Sequence, residues 1–128
     1  MAGEKILIIE DNPMNMELVT DLLHVAGFVL IQARTAEEGI SALTRPEKPA
    51  LVLMDIGLPG MDVLAATKAL KRAAETQSIP VLALTSHAMK GDEEEVFAAG
   101  CIGYITKPID TRTFPQTVAR YVEFSKHA

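Results

Sequence analysis

Ala50-Leu-Val-Leu-Met-Asp55-Ile-Gly-Leu-Pro-Gly60 is the stretch from which the fold follows. Five consecutive apolar residues run straight into one carboxylate, and Gly57, Pro59 and Gly60 then interrupt regular structure. A continuous apolar run bounded by turn residues reads as a strand buried on both faces. That places Asp55 at the carboxyl end of a central strand, where open α/β sheets gather ligands and chemistry. Within the stretch itself, an Asp55 that only caps the following turn is an equally open reading.

The same pattern recurs upstream. Lys5-Ile-Leu-Ile-Ile-Glu10-Asp11 is a second short apolar run that ends in acid. Asn12 is placed as a helix N-cap, with Pro13 at the first helical position. Met16, Val19, Leu22, Leu23 and Ala26 follow at helical spacing, and Gly27 suits the stop. Met14 and Met16 read as helix packing and loop filling. Phe28 to Ala33 reads as a second strand. Thr35-Ala-Glu-Glu38 is a capping box that opens a second helix, with Ala36, Ile40 and Leu43 inward.

Downstream of Asp55, a third helix is expected from about Asp62 to Ala74, burying Val63, Ala66, Leu70 and Ala74. Ile79 to Leu84 is a fourth strand, which delivers Thr85 and Ser86 to its carboxyl end. Lys90 to Ala99 makes a poor fourth helix. Gly91 lies in its first turn, Glu93, Glu94 and Glu95 are contiguous, and only Val96 and Phe97 are large and apolar beyond Met89. Ile102 to Thr106 is a short fifth strand ending in Lys107-Pro108. Asp110 caps a last helix with Phe114, Val118, Tyr121 and Val122 on one face.

Strands alternating with helices in this way demand a mainly parallel sheet with right-handed crossovers and helices on both faces. The expected class is α/β, a flavodoxin-like doubly wound (βα)5 domain with strand order 2-1-3-4-5. Its switch point lies between the first and third strands, the two that end in Glu10-Asp11 and Asp55. A chain of 128 residues suffices for one domain, 1–128, and too little follows the last helix for an output domain. The core must be aliphatic, since 48% of residues are hydrophobic but only 5% aromatic. With a net charge of −5 and no basic run, nucleic acid and anionic membranes are not expected partners. Cys101 is the only cysteine, and the apolar run near the N-terminus is too short for a signal peptide or a span. A soluble cytoplasmic protein is expected.

Folded so, Glu10, Asp11 and Asp55 crowd one edge of the sheet. Carboxylates that close raise one another's pKa, and a divalent cation among them relieves the repulsion. All-oxygen ligation with room for water favours Mg²⁺ or Mn²⁺ over Zn²⁺. The fourth strand adds the hydroxyl of Thr85 and the fifth adds the cation Lys107. A metal, a lysine and a hydroxyl around one nucleophilic carboxylate is what phosphoryl transfer needs.

Taken in order, the acidic pair Glu10-Asp11, Asp55 followed by Leu58-Pro-Gly-Met61, Thr85, and Lys107-Pro108 resemble the motifs of response regulator receiver domains, over essentially the whole chain. The segment from Glu10 to Asn15 most resembles stand-alone cell-cycle receivers and the receivers of hybrid kinases. The resemblance implies that Asp55 takes a phosphoryl group from a histidine kinase or histidine phosphotransfer protein. It implies Mg²⁺ held directly by Asp11 and Asp55, through water by Glu10, and by the backbone carbonyl of Gly57. Thr85 and Lys107 would bind the phosphoryl oxygens, and Tyr104 matches the family's switch aromatic. The Lys107–Pro108 peptide is expected to be cis. A downstream protein partner would read the face made by the fourth helix, fifth strand and fifth helix. Two positions depart from the family: Val63 stands where Gly is usual, and Gly57 offers no polar side chain near the acceptor.

Other readings stand beside these. Glu10 and Asp11 as caps of the first helix, Tyr104 as an ordinary strand aromatic, Cys101 as a small core residue, and Glu93 to Glu95 as a solvated face are the structural ones. His24 and His127 carry no evident role, whereas His87 lies close enough to Thr85 to matter. The alternative activity is a metal-dependent phosphohydrolase with an aspartyl-phosphate intermediate. That chemistry wants a second acid where Gly57 stands, and a cap insertion that the chain lacks. A flavin-binding module would need a phosphate-cradling loop and stacking aromatics. The expectation is a regulator rather than an enzyme, with slow self-catalysed phosphorylation and dephosphorylation at most.

Overall fold

The computed structural model describes residues 3–43, 46, 48–55, 67–68, 71–72, 76–85, 90–107 and 109–126, with backbone alone at 36, 90–93, 95 and 124–126. Its elements are β1 (Lys5–Ile9), α1 (Pro13–Val25), β2 (Val29–Ala33), α2 (Ala36–Leu43), β3 (Leu51–Asp55), β4 (Val81–Thr85), a helix at Lys90–Ala99, β5 (Gly103–Thr106) and a C-terminal helix at Phe114–Lys126. The strands form one sheet in the order β2-β1-β3-β4-β5, and each neighbouring pair is parallel. This is the doubly wound order expected from the sequence.

Every residue of β3 and β4 is buried, as a strand covered on both faces requires. Alternate residues feed two separate cores. Ile6, Ile8, Leu51, Leu53, Leu82 and Leu84 pack with Met16, Val19 and Leu23 of α1 and with Phe114, Val118 and Val122 of the C-terminal helix. On the opposite face, Leu7, Ile9, Val52, Met54, Val81 and Ala83 pack with Leu43 of α2, Val96 of the 90–99 helix, and Cys101.

Helix ends are set locally. The Asn12 side chain accepts from the Met14 and Asn15 N–H groups at 2.9 and 3.1 Å, with Pro13 next in line. Gly27, at φ 100°, closes α1: its N–H donates to the His24 carbonyl and that of Phe28 to the Leu23 carbonyl, a Schellman pair. Phe28 is consumed in that closure, so β2 begins one residue later than expected. Ala26 is the exposed C-cap rather than a core position, and Met14 is 80% exposed rather than packed.

One cap and two boundaries differ in detail from expectation. Thr35 Oγ1 accepts from Glu38 N–H as a capping box requires, but the Glu38 carboxylate accepts from Arg34 N–H at 2.8 Å, one residue before the cap. The fourth strand starts at Val81 because Ile79 N–H is committed to a turn onto the Thr76 carbonyl. Asp110 organises a turn, accepting from Arg112 N–H on its side chain, and the last helix begins only at Phe114. Of the expected third helix, residues 67–68 and 71–72 are described and helical. Val63, Ala66, Leu70 and Ala74 lie outside the described residues.

Candidate functional site

Strand register brings the acids together. Ile9 pairs with Met54, so Glu10 and Asp55 leave the sheet side by side, one residue further on. Glu10 is held in place by its own N–H, which donates to the Ala33 carbonyl at 3.0 Å. Its Oε2 accepts from Asn12 N–H at 3.2 Å. On the other flank Thr85 pairs with Thr106, and Lys107 N–H then donates to the Thr85 carbonyl at 2.7 Å. That bond continues the ladder past the strand and turns the lysine back over the sheet edge. Lys107 Nζ stands 2.7 Å from Asp55 Oδ1 and 3.6 Å from Glu10 Oε1.

Glu10, Asp11 and Asp55 each offer a carboxylate oxygen within 4.8 Å of the others'. Glu10 and Asp55 are buried, at 1% and 6% exposure, whereas Asp11 faces solvent. Burial, and then the neighbouring Asp55 carboxylate, push Glu10 up from 4.5 to about 7, against smaller opposing effects of Asn12 N–H and Lys107. Among the described residues Glu10 Oε1 has no hydrogen-bond partner, and one ammonium at 3.6 Å does not satisfy it. A hard divalent cation among these oxygens would supply a partner, and the donor set of carboxylates suits Mg²⁺ or Mn²⁺. The crowding expected from the sequence is present, and these residues fit such an ion.

Thr85 is buried at 5% exposure at the end of β4, next to this cluster in the sheet order. Tyr104 sits on β5 opposite Ala83, half-buried against the core that holds Val96 and Cys101. Cys101 is a buried core residue, and burial pushes its thiol up to about 11. Gly57, Pro108 and His87 lie outside the described residues. His24 is exposed.

Two features were not foreseen. Thr67 is fully buried and its hydroxyl donates to Met54 Sδ at 3.3 Å, anchoring the residue before Asp55. No local pattern marks a threonine on an inward helical position as a sulfur's partner. A cavity of about 350 Å³ also opens from the acids along α1, where Thr20, Gln32 and Arg34 join Glu10 and Asp11 in its wall. Among the described residues, no helix is long and apolar enough to cross a membrane.

Comparison with known proteins gives the same placement by another route. The polar-differentiation response regulators DivK of Brucella anthropi and Brucella ovis are each 43% identical over 119 residues, covering 93% of this chain and 96% of theirs. The receiver domain of a sensor histidine kinase from Pseudomonas aeruginosa, solved with a magnesium ion coordinated in its active-site cleft, superposes with a TM-score of 0.85 at 28% identity, over 95% of this chain and 99% of that one. The chemotaxis response regulator CheY4 of Vibrio cholerae shares the fold, with a TM-score of 0.85 at 23% identity over 93% of this chain and 98% of that one. Residues 6–119 match the family described as the response regulator receiver domain, and with relatives this similar over nearly its full length the chain belongs to that family.

Proposed function

We propose that the chain is a phosphoacceptor switch in which Asp55 receives the phosphoryl group of a phosphohistidine, carried by a histidine kinase or a histidine phosphotransfer protein. The observation that carries this reading is the 2.7 Å pairing of Lys107 Nζ with Asp55 Oδ1 beside two further acids. The lysine ammonium lies directly against the nucleophilic carboxylate, and its charge is also available to an incoming phosphoryl oxygen. Asp55 attacks phosphorus in line, the P–N bond to the donor imidazole breaks, and the phosphoryl group stays on the carboxylate. Thr85 and Lys107 then bind its oxygens. Asp11 and Asp55 would hold Mg²⁺ directly, with Glu10 acting through water and the Gly57 carbonyl as a further ligand. The bound cation neutralises charge on the phosphoryl group.

The output follows from the same movement. Thr85 drawn toward the phosphoryl group makes room for Tyr104 to turn inward. A protein partner reads the altered face of the 90–99 helix, β5 and the C-terminal helix through its different affinity for the two states. Incubation with acetyl phosphate and Mg²⁺ should add one phosphoryl group by intact mass, and none with EDTA or in Asp55→Asn. An Asp55→Asn protein that still gained the group would overturn the assignment of the acceptor.

A further inference from the structure

Two aromatic side chains meet across the output face. Phe97 of the 90–99 helix approaches Tyr104 of β5 edge-on, with ring centroids 6.1 Å apart and planes at 76°. Phe97 is 51% exposed, so the core does not hold it. Val96 and Ala99, both at 2% exposure, bury that helix instead. Phe97, Tyr104 and Tyr121 together line one open groove of about 420 Å³. Tyr121 forms the far wall of that groove and lies so close over Gly103 that any Cβ there would strike its ring and hydroxyl. Opposite Tyr104 in the sheet stands Ala83, two residues before Thr85 on the same face of β4. Tyr104 and Thr85 therefore share a face of the sheet, with the small Ala83 side chain beside the ring.

An edge-to-face contact exists only while both rings keep their places. A Tyr104 ring that turns toward Thr85 leaves Phe97 behind with more of its surface in water. We propose that Phe97 is a latch on the switch: its edge contact stabilises the resting position of Tyr104 and thereby weakens the binding of a phosphoryl group or its mimic. The inference rests on the phosphoacceptor reading above and adds to it a positioning residue that acts through Tyr104. An aromatic pair of this kind biases a two-state equilibrium by roughly two- to ten-fold. A ligand that selects the other state is weakened by up to the same factor.

The test is a titration with beryllofluoride in saturating Mg²⁺, followed by amide resonances at the site. Phe97→Ala should bind about two- to ten-fold more tightly than wild type. Phe97→Tyr, which restores a ring edge, should return to the wild-type value. Placed in a Tyr104→Ala background, Phe97→Ala should have no further effect, because the partner ring is gone. Equal or weaker binding by Phe97→Ala would overturn the latch, as would an equal gain in the Tyr104→Ala background. The receiver chemistry fails in a different way: wild type would not bind beryllofluoride, or Asp55→Asn would bind it as well as wild type does. Either result removes the basis of the latch as well.

Discussion

Glu10 is a buried acid whose charged form the folded chain disfavours. Because desolvation and Asp55 raise it from 4.5 to about 7, the folded state keeps a proton that the unfolded chain has already released across that interval. The stability Glu10 contributes is therefore complete below about pH 4.5 and is lost as pH rises through about 7. The loss is at most about 3 to 4 kcal/mol on the scale of one pKa unit per 1.4 kcal/mol. In EDTA, urea midpoints of the wild type should fall between pH 5 and 7.5 relative to those of Glu10→Gln, which cannot ionise. Mg²⁺ needs the ionised carboxylate, so its stabilising effect on the wild type should grow over the same interval. A metal-free wild type that gained stability against Glu10→Gln as pH rose would contradict the crowding.

At the level of elements, α2 comes so close to β1 that a Cβ on Gly39 would strike the Ile9 side chain, which is fully buried one residue before Glu10. Gly39→Ala gains about 1 kcal/mol of helix propensity but overpacks the core at about 1–3 kcal/mol. It should destabilise the domain by about 1 kcal/mol in urea melts, and by no more than half of that in an Ile9→Val background, where the terminal methyl is gone. Equal costs in both backgrounds would show that the helix shifts as a body. Contacts of this kind are what the sequence conceals. The apolar runs ending in Glu10, Asp55, Thr85 and Lys107 locate the strands and the site, because period and turn residues are local properties. Gly39 in α2, Thr67 under Met54 and the start of the last helix at Phe114 depend on which surfaces meet, and no single segment records that. Tyr104 is visible as a strand aromatic, but its partner Phe97 looks in sequence like one more apolar residue of a weak helix.

Across the whole molecule, the sheet separates two cores that meet the site unequally. Tyr104 packs on the core shared by Val96, Cys101, Ala83 and Leu43, whereas α1 and most of the buried face of the C-terminal helix belong to the other. A Tyr104 ring that turns must repack the first core, and close-packed interiors pass such a shift to direct neighbours rather than spreading it evenly. The central strands between the cores are paired on both edges and buried along their length, so they transmit little across the sheet. Among its described side chains the 90–99 helix buries Val96 and Ala99 and leaves Glu94, Phe97 and Ala98 exposed, so it is the element expected to yield on the affected side. Beryllofluoride with Mg²⁺ should therefore move the amides of Val96, Cys101 and Tyr104 well beyond those of Val19, Leu23 and Val118. Residues 10–12, which flank the acids, should shift for local reasons and are set aside in the comparison. Changes concentrated on Val19, Leu23 and Val118 would place the output on α1 and the C-terminal helix, and the mapping of the switch onto the Tyr104 core would be wrong.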